Sequence, residues 1–238
     1  MIIKIPKNYH LLSISYHLYS PNLFFNQVNC GSMHYVSHLS KDEKLKRLIK
    51  HHGIFKLNKQ KNLYLYLCYS IMSQQLSTKV ARVIKQRFID LYEGEPTPQQ
   101  IVDTPFAKLR GIGLSNAKVS YVQNVASFEM EKGMDHKKLA KMSNEEVIGY
   151  LTQIKGVGRW TTEMLLMFAL GREDLFAIDD LGLQQAVIGL YELKHRKKKI
   201  MNAKILKIAE QWAPYRTYAC MYLWRWKDNP PITNGKKK

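Results

Sequence analysis

The chain has 238 residues, of which 45% are hydrophobic and 24% are charged, and these values exclude wholesale disorder and fibrous repeats. Its 37 Lys and Arg residues against 19 Asp and Glu give a formal net charge of +18, which predicts a polyanionic partner, with nucleic acid ahead of an anionic membrane. Three widely spaced cysteines, Cys30, Cys68 and Cys220, support neither a disulfide framework nor a four-thiolate metal site.

Composition changes near residue 40: residues 1–40 contain no Asp or Glu, and Lys4 and Lys7 are their only Lys or Arg residues. We predict an irregular N-terminal extension over 1–40, a helical domain over 41–228 and a basic tail over 229–238. Within the helical domain, apolar residues recur at spacings of three and four, and no two-residue alternation indicates a strand. The predicted fold class is therefore all-α. The predicted helices span 41–52, 61–73, 77–92, 115–129, 143–154, 159–170, 180–190, 202–212 and 215–226.

The string Leu109–Lys118 contains a glycine turn before the helix predicted at 115–129. It fits either a second contact with a nucleic acid backbone or a simple turn in which Ser115 caps the helix. We favour the simple turn, because the helical segment before it, 104–109, is short.

Ser143, followed three residues later by Glu146, predicts a capping box at the start of the helix expected over 143–154. The apolar residues Ile154 and Val157 are expected to pack this helix against the helix predicted at 159–170.

A second glycine turn, Gly156-Val157-Gly158, joins these two helices. Its glycines allow a sharp bend and a close approach to phosphate, and the free amides that open the second helix point at that phosphate. Arg159 adds a charge-assisted contact. This helix-hairpin-helix pattern predicts binding to the nucleic acid backbone, and an ordinary αα-hairpin that turns at glycine is the structural alternative.

Two adjacent acids, Asp179 and Asp180, end an apolar approach that begins at Phe176. Adjacent acids cannot share one face, and either can cap the helix predicted at 180–190, where the macrodipole favours negative charge. Two interpretations are open. Either both acids are caps on a solvated turn, or one of them takes part in a reaction that needs negative charge near a phosphate-binding hairpin.

The hairpin motif Gly156–Trp160, followed by Asp180, resembles the helix-hairpin-helix, Gly/Pro-rich, Asp superfamily of base-excision DNA glycosylases. Two further strings, Ile71–Ser77 and Trp212–Trp224, resemble the 3-methyladenine DNA glycosylase II family, and the likeness covers about residues 60–226. The resemblance implies a two-lobed helical fold with the active-site cleft between the lobes. It also implies hydrolysis of the N-glycosidic bond of alkylated purines such as 3-methyladenine after base flipping, which leaves an abasic site.

The resemblance implies roles for individual residues near this bond. Asp180 is the catalytic carboxylate that stabilises the oxocarbenium-like sugar, and Asp179 is left as a cap or structural partner. Trp160 and Trp224 form the substrate pocket, because an indole face attracts and stacks a cationic flipped base. Met164 belongs to the same pocket but stands where some relatives have an aromatic residue, so it leaves the lesion preference open.

The same resemblance assigns Gln75 as the wedge that fills the space left by the flipped base, with Gln74 and Ser77 supporting its turn. In bifunctional relatives a lysine nucleophile directly follows the Gly-Arg of the hairpin, and here that position is Trp160. The resemblance therefore implies a monofunctional enzyme, although lyase activity is kept as an alternative. No cofactor or metal is required, and the superfamily allows a monovalent cation at the hairpin backbone.

The expected partner is duplex DNA with alkylated bases, bound by a monomer and without a membrane, in an intracellular setting that is cytoplasmic (nucleoid-associated) or nuclear. A non-catalytic helix-hairpin-helix DNA-binding protein is the alternative from another functional class. Tyr218 and Tyr222 are assigned to the core, and Arg216 to either the surroundings of Asp180 or a phosphate. The basic run Lys194–Lys199 is either solvated or in contact with phosphate.

Overall fold

The computed structural model describes residues 33–228. Within that range the regular secondary structure consists of α-helices and contains no strand, which confirms the all-α prediction. The predicted extension before residue 33, the tail over 229–238 and Cys30 lie outside the described residues. The helices are α1 (Met33–Leu39), α2 (Glu43–His52), α3 (Leu63–Ser73), α4 (Thr78–Leu91), α5 (Pro98–Asp103), α6 (Phe106–Gly111), α7 (Asn116–Lys132), α8 (His136–Ala140), α9 (Asn144–Leu151), α10 (Arg159–Phe168), α11 (Leu181–Leu190), α12 (Lys198–Glu210) and α13 (Arg216–Asp228).

The described chain forms two compact units. We call Leu57–Arg172 the hairpin unit, and residues 33–56 together with 173–228 the acid unit. The predicted single domain over 41–228 is thus built from two units, and the chain of the acid unit is interrupted by the hairpin unit.

Helix α3 is the centre of the hairpin unit, where it packs against α4, α7 and α10. Every residue from Leu65 to Ser73 is buried. A helix that is apolar on all sides needs neighbours on all sides, and this explains why α3 occupies the middle of its unit. Helix α7 also packs against α5 and α6.

Helix α13 has the corresponding place in the acid unit, where it packs against α2 and α11. All residues from Thr217 to Trp224 are buried. The ring of Tyr218 stacks on Tyr35 with centroids 3.8 Å apart, and the Tyr222 hydroxyl donates to the carbonyl of Gly53 at 2.7 Å. The assignment of Tyr218 and Tyr222 to the core is confirmed.

Residues 33–39 form helix α1, so the prediction of an irregular segment up to residue 40 is wrong for this stretch. Tyr35 and Leu39 are buried in the acid unit, and a segment without charge pairs can still be helical when its apolar side chains pack. Helices α5 and α8 were absent from the prediction, because pieces of five or six residues are too short for a periodic pattern, whereas α6 corresponds to the short helical segment expected at 104–109.

Helix α12 begins at Lys198, four residues before the predicted start at 202. Lysines in a first turn interact unfavourably with the helix dipole, and for that reason the sequence predicts a loop over the basic run. The structure thus places Lys198 and Lys199 on the helix, while all residues of Lys194–Lys199 stay exposed.

Candidate nucleic-acid interface and active site

Helices α9 and α10 form the predicted hairpin. Ser143 and Glu146 make the predicted capping box at the start of α9, with hydrogen bonds in both directions. The apolar residues Ile154 and Val157 are buried, and the Val157 amide donates to the Ile154 carbonyl at 2.9 Å. Gly158 is the N-cap of α10 and provides no side-chain cap, so the cap leaves the opening amides of this helix to other acceptors.

Gly156 gives the hairpin turn its shape, because its φ is +106°. A Cβ at this position would lie 2.2 Å from Cγ of Tyr121 on α7, which is far inside van der Waals contact. On the same side, the Asn124 side-chain amide donates to the Lys155 carbonyl at 3.1 Å. The turn is therefore seated directly against α7, and only glycine fits at 156.

Arg159 lies in ion pairs within the hairpin unit. Its guanidinium donates to both carboxylate oxygens of Glu145, at 3.0 and 2.5 Å, and its Nε donates to Glu163 at 3.1 Å. These carboxylates raise the pKa of Arg159, with the hydrogen bond to Glu145 as the main cause. In the structure this side chain therefore binds carboxylates of its own hairpin, whereas the sequence predicts that it binds a phosphate. The phosphate contact stays a prediction.

Gln75 lies at the tip of the short loop between α3 and α4. It is exposed and has a φ of +60°, in the left-handed region that non-glycine residues rarely adopt. Ser77 caps α4 by accepting from the Val80 amide, and the Gln74 carbonyl accepts from the Lys118 ammonium. Gln74 and Ser77 thus hold the turn as predicted, and the loop presents Gln75 to solvent.

Trp160 and Met164 lie one turn apart on α10. Trp160 is half-buried, whereas Met164 is only 2% exposed and its carbonyl accepts from the Tyr66 hydroxyl at 3.1 Å. Met164 is thus part of the packed interior of the hairpin unit. Its role in a substrate pocket stays a prediction.

Asp180 is the N-cap of α11 in the acid unit. Its Oδ1 accepts from the Leu183 amide at 2.7 Å and from the Trp224 indole at 3.2 Å, and the residue is only 1% exposed. Asp179 is exposed. Of the two roles expected for Asp179, that of the cap is therefore wrong, because Asp180 is the residue directly before the first helical turn, and that of a structural partner stays a prediction.

Trp224 and Gly182 complete the surroundings of this carboxylate. Trp224 is 4% exposed and reaches Asp180 from α13. A Cβ on Gly182 would lie 3.0 Å from Asp180 Oδ1 and 3.7 Å from the Trp224 ring, so glycine leaves space for the acid and the indole to meet. The structure brings Asp180 and Trp224 together in the acid unit, while Gln75, Trp160 and the hairpin belong to the other unit.

Arg216 pairs with Asp174, with Nε 2.6 Å from Oδ1 and Nη2 2.8 Å from Oδ2. This hydrogen-bonded pair raises the pKa of the guanidinium. The structure places Arg216 in this ion pair, and its two predicted roles, near Asp180 or on a phosphate, stay predictions. The next helical residues are also anchored, because the Tyr218 hydroxyl donates to Glu173 at 2.8 Å.

No group of three or more His, Cys, Asp or Glu side chains within residues 33–228 is placed to hold a metal ion. At the hairpin, two carbonyls already accept hydrogen bonds, that of Ile154 from Val157 and that of Lys155 from Asn124. A monovalent cation there stays a prediction that rests on the resemblance. Across the same residues, no helix has the length and apolar character needed to cross a membrane.

The sequence matches the family model described as HhH-GPD superfamily base excision DNA repair protein over residues 68–211. It is 40% identical over 191 residues to the DNA-3-methyladenine glycosylase 1 of Schizosaccharomyces pombe. The matching region covers 77% of this chain and 82% of that protein. The matched range includes Gln75, the hairpin and Asp180, whereas Trp224 lies beyond it.

Two solved structures share the fold. The Schizosaccharomyces pombe 3-methyladenine DNA glycosylase in complex with abasic DNA matches with a TM-score of 0.72 and 35% identity, over 85% of this chain and 99% of that chain. The DNA-3-methyladenine glycosidase of Bacillus halodurans matches with a TM-score of 0.72 and 33% identity, over 82% and 90% of the two chains.

Proposed function

Because the chain belongs to the HhH-GPD superfamily of base excision DNA repair proteins, we propose that it is a monofunctional DNA glycosylase. Its substrates are alkylated purines such as 3-methyladenine in duplex DNA, and its product is an abasic site. The names of the similar proteins support this substrate class. The observation that carries the proposal is the buried carboxylate of Asp180, which is held by an amide and an indole in a chain of net charge +18.

Asp180 acts through its negative charge. Cleavage of an N-glycosidic bond builds positive charge on the sugar, and a carboxylate about 4 Å away contributes about 4 kcal/mol at an effective dielectric constant of 20. The Leu183 amide and the Trp224 indole fix the carboxylate before the reaction, so little reorganisation is needed in the transition state. A leaving base that is already cationic requires no general acid.

Recognition of the damaged base rests on the aromatic side chains. We assign Trp160 to stacking on the cationic purine, because it is the half-buried indole of α10 and an indole face attracts a cation by about 0.5–2 kcal/mol. For Trp224 we keep the role in substrate binding that the resemblance implies, and its N–H in addition orients Asp180 within the acid unit. Gln75 fills the duplex at the vacated position.

DNA is held at the hairpin, where the amides that open α10 face an acceptor and the glycine turn admits a phosphate. The net charge of +18 adds attraction that does not depend on sequence. We further propose that the protein acts as a monomer, and that a monovalent cation at the hairpin carbonyls supports this contact without taking part in the chemistry.

Release of free bases from damaged DNA tests the proposed function. Methylated duplex DNA incubated with the protein is expected to yield free 3-methyladenine, measured by liquid chromatography, and a panel carrying 7-methylguanine, ethenoadenine and hypoxanthine defines the lesion range. DNA binding without release of any base from this panel would favour the non-catalytic DNA-binding alternative.

A second prediction concerns the absence of a covalent intermediate. Lyase chemistry requires an amine that forms a Schiff base, and the position that carries this lysine in bifunctional relatives is Trp160 here. Borohydride added during turnover is therefore expected to trap no protein–DNA adduct on a denaturing gel, with a known bifunctional glycosylase as positive control. An adduct that is trapped with the unmodified protein and lost with the Asp180→Asn protein would refute the monofunctional assignment.

A further inference from the structure

Lys118 has an unusual location on α7. It is the third residue of the helix, and its amide donates to the capping hydroxyl of Ser115. A cation in a first turn opposes the helix dipole, and burial lowers the pKa of this lysine. Both effects disfavour a charged lysine at this position, so we expect an interaction that compensates for them.

The compensation comes from the end of α3. The Lys118 ammonium donates to the carbonyl of Met72 at 2.9 Å and to the carbonyl of Gln74 at 2.7 Å. The last carbonyls of a helix have no partner within that helix and carry its negative dipole end. Lys118 therefore caps α3 with its side chain, from a helix that lies elsewhere in the sequence.

The two carbonyls that Lys118 binds belong to the backbone that leads into Gln75, and that of Gln74 directly precedes it. A left-handed φ at a glutamine is disfavoured, and such a conformation persists only where the surroundings impose it. Lys118 fixes the backbone on the N-terminal side of Gln75, and Ser77 fixes it on the C-terminal side by capping α4. The loop is held from both sides while Gln75 itself stays exposed.

The turn before α7 supports the lysine. Gly113 has a φ of +106°, and a Cβ there would lie 2.7 Å from Cδ1 of Ile84 on α4. Arg87, also on α4, donates to the carbonyl of Ile112 at 3.4 Å. The glycine turn at Gly113 thus seats the start of α7 against α4, the helix that follows the loop with Gln75.

We propose that Lys118 is a positioning residue of the wedge, which sets Gln75 in its inserting conformation before DNA binds. The proposal rests on the proposed glycosylase function. It assigns a role to the string Leu109–Lys118 in base flipping, through the loop and without any contact with the reacting bond. Lys118 matters wherever a base must be extruded from a stacked duplex, and little where the base is already unstacked.

The test compares one methylated oligonucleotide in two forms, annealed and single-stranded. Lys118→Met is expected to lower the rate of base release from the duplex about tenfold and from the single strand less than about twofold, because a charge-assisted hydrogen bond to the loop is lost while the chemistry is untouched. The ratio of the two rates is independent of the fraction of protein that is folded. Lys118→Arg, which keeps a cation for the same carbonyls, is expected to restore most of the duplex rate.

A double-mutant cycle with Gln75→Ala shows whether Lys118 acts through the wedge. Lys118→Met combined with Gln75→Ala is expected to be no slower on duplex DNA than Gln75→Ala alone, while Lys108→Met, at an exposed lysine of α6, controls for the lost charge. Equal losses on both DNA forms, or additive losses in the cycle, would overturn the proposal. If the unmodified protein releases no base from either form, the proposed function itself fails, and that result is separate from any effect of Lys118.

Discussion

Asp180→Asn is expected to lower the rate of base release about a thousandfold, which corresponds to about 4 kcal/mol of lost transition-state stabilisation. The carboxamide has nearly the shape of the carboxylate, but it carries no negative charge to stabilise the developing oxocarbenium ion. The measurement is the single-turnover release of 3-methyladenine from methylated duplex DNA. The affinity for the same DNA is expected to be retained, because the substitution removes an anion and leaves the hairpin intact.

The asparagine variant isolates charge from structure because of the position that Asp180 occupies. Asparagine is as good an N-cap as aspartate, and its side-chain oxygen can still accept from the Leu183 amide and the Trp224 indole. Alanine at 180 would remove the cap as well, at about 1 kcal/mol of stability. The melting temperature of Asp180→Asn is therefore expected to stay close to that of the unmodified protein.

Asp179→Asn is the matched control, since it removes one negative charge from the neighbouring, exposed residue. It is expected to leave base release within about twofold, because an exposed charge is screened by water and salt. Equal losses in the two variants, or an unimpaired Asp180→Asn, would show that the buried carboxylate is not the catalytic group.

Most of this site follows from local sequence patterns, because the interactions involved are local. The capping box at Ser143 and the buried pair Ile154 and Val157 depend on residues a few positions apart, and the structure confirms them. The cap at Ser115 is likewise confirmed, whereas the choice between a simple turn and a contact with a nucleic acid backbone stays a prediction. Spacing alone, however, could not decide which of two adjacent acids caps α11, since either placement satisfies the same helix terminus.

Interactions between distant segments could not be predicted in the same way. The pair Arg216–Asp174 joins residues 42 positions apart, and Lys118 reaches carbonyls 44 and 46 positions away. Backbone carbonyls give no signal in a sequence, so nothing pointed to a lysine clamp. For Arg159 a local signal did exist, since Glu163 follows at the spacing of one helical turn, which favours an ion pair.

The two glycines of the hairpin turn also differ in a way that the motif hides. Gly158 has an ordinary φ of −96°, and a Cβ there would meet nothing within 4 Å. Gly156 has a positive φ and no space for a Cβ. The requirement for glycine at 156 comes from a tertiary contact with α7, whereas at 158 only the approach of a ligand would require it.

Gly156→Ala is therefore expected to destabilise the hairpin and to weaken DNA binding together. The added methyl group would lie 2.2 to 2.6 Å from Cγ, Cβ and Cδ1 of Tyr121, and an L residue at a φ of +106° is strained in addition. Overpacking and backbone strain together cost about 2 kcal/mol or more. Because Cβ of Tyr121 is among the close atoms, a simple ring rotation cannot relieve the clash.

Gly149→Ala provides the matched control on the same hairpin. Gly149 lies in α9 and is exposed, and a methyl group added there would meet no other atom within 4 Å. Alanine at this position favours the helix and is expected to raise stability by up to about 1 kcal/mol, with DNA affinity unchanged. Chemical denaturation gives the free energy of unfolding of each variant, and fluorescence anisotropy gives its affinity for duplex DNA.

The double variant Gly156→Ala with Tyr121→Ala isolates the part of the loss that comes from the ring. Removing the ring relieves the contacts with Cγ and Cδ1, but neither the contact with Cβ at 2.6 Å nor the strain at φ +106°, so the effects of the two substitutions are expected to be less than additive. DNA affinity should recover in part, because the turn can move back toward the position in which we propose that the opening amides of α10 bind a phosphate. A Gly156→Ala protein with normal stability and normal DNA affinity would contradict the seating of this turn against α7.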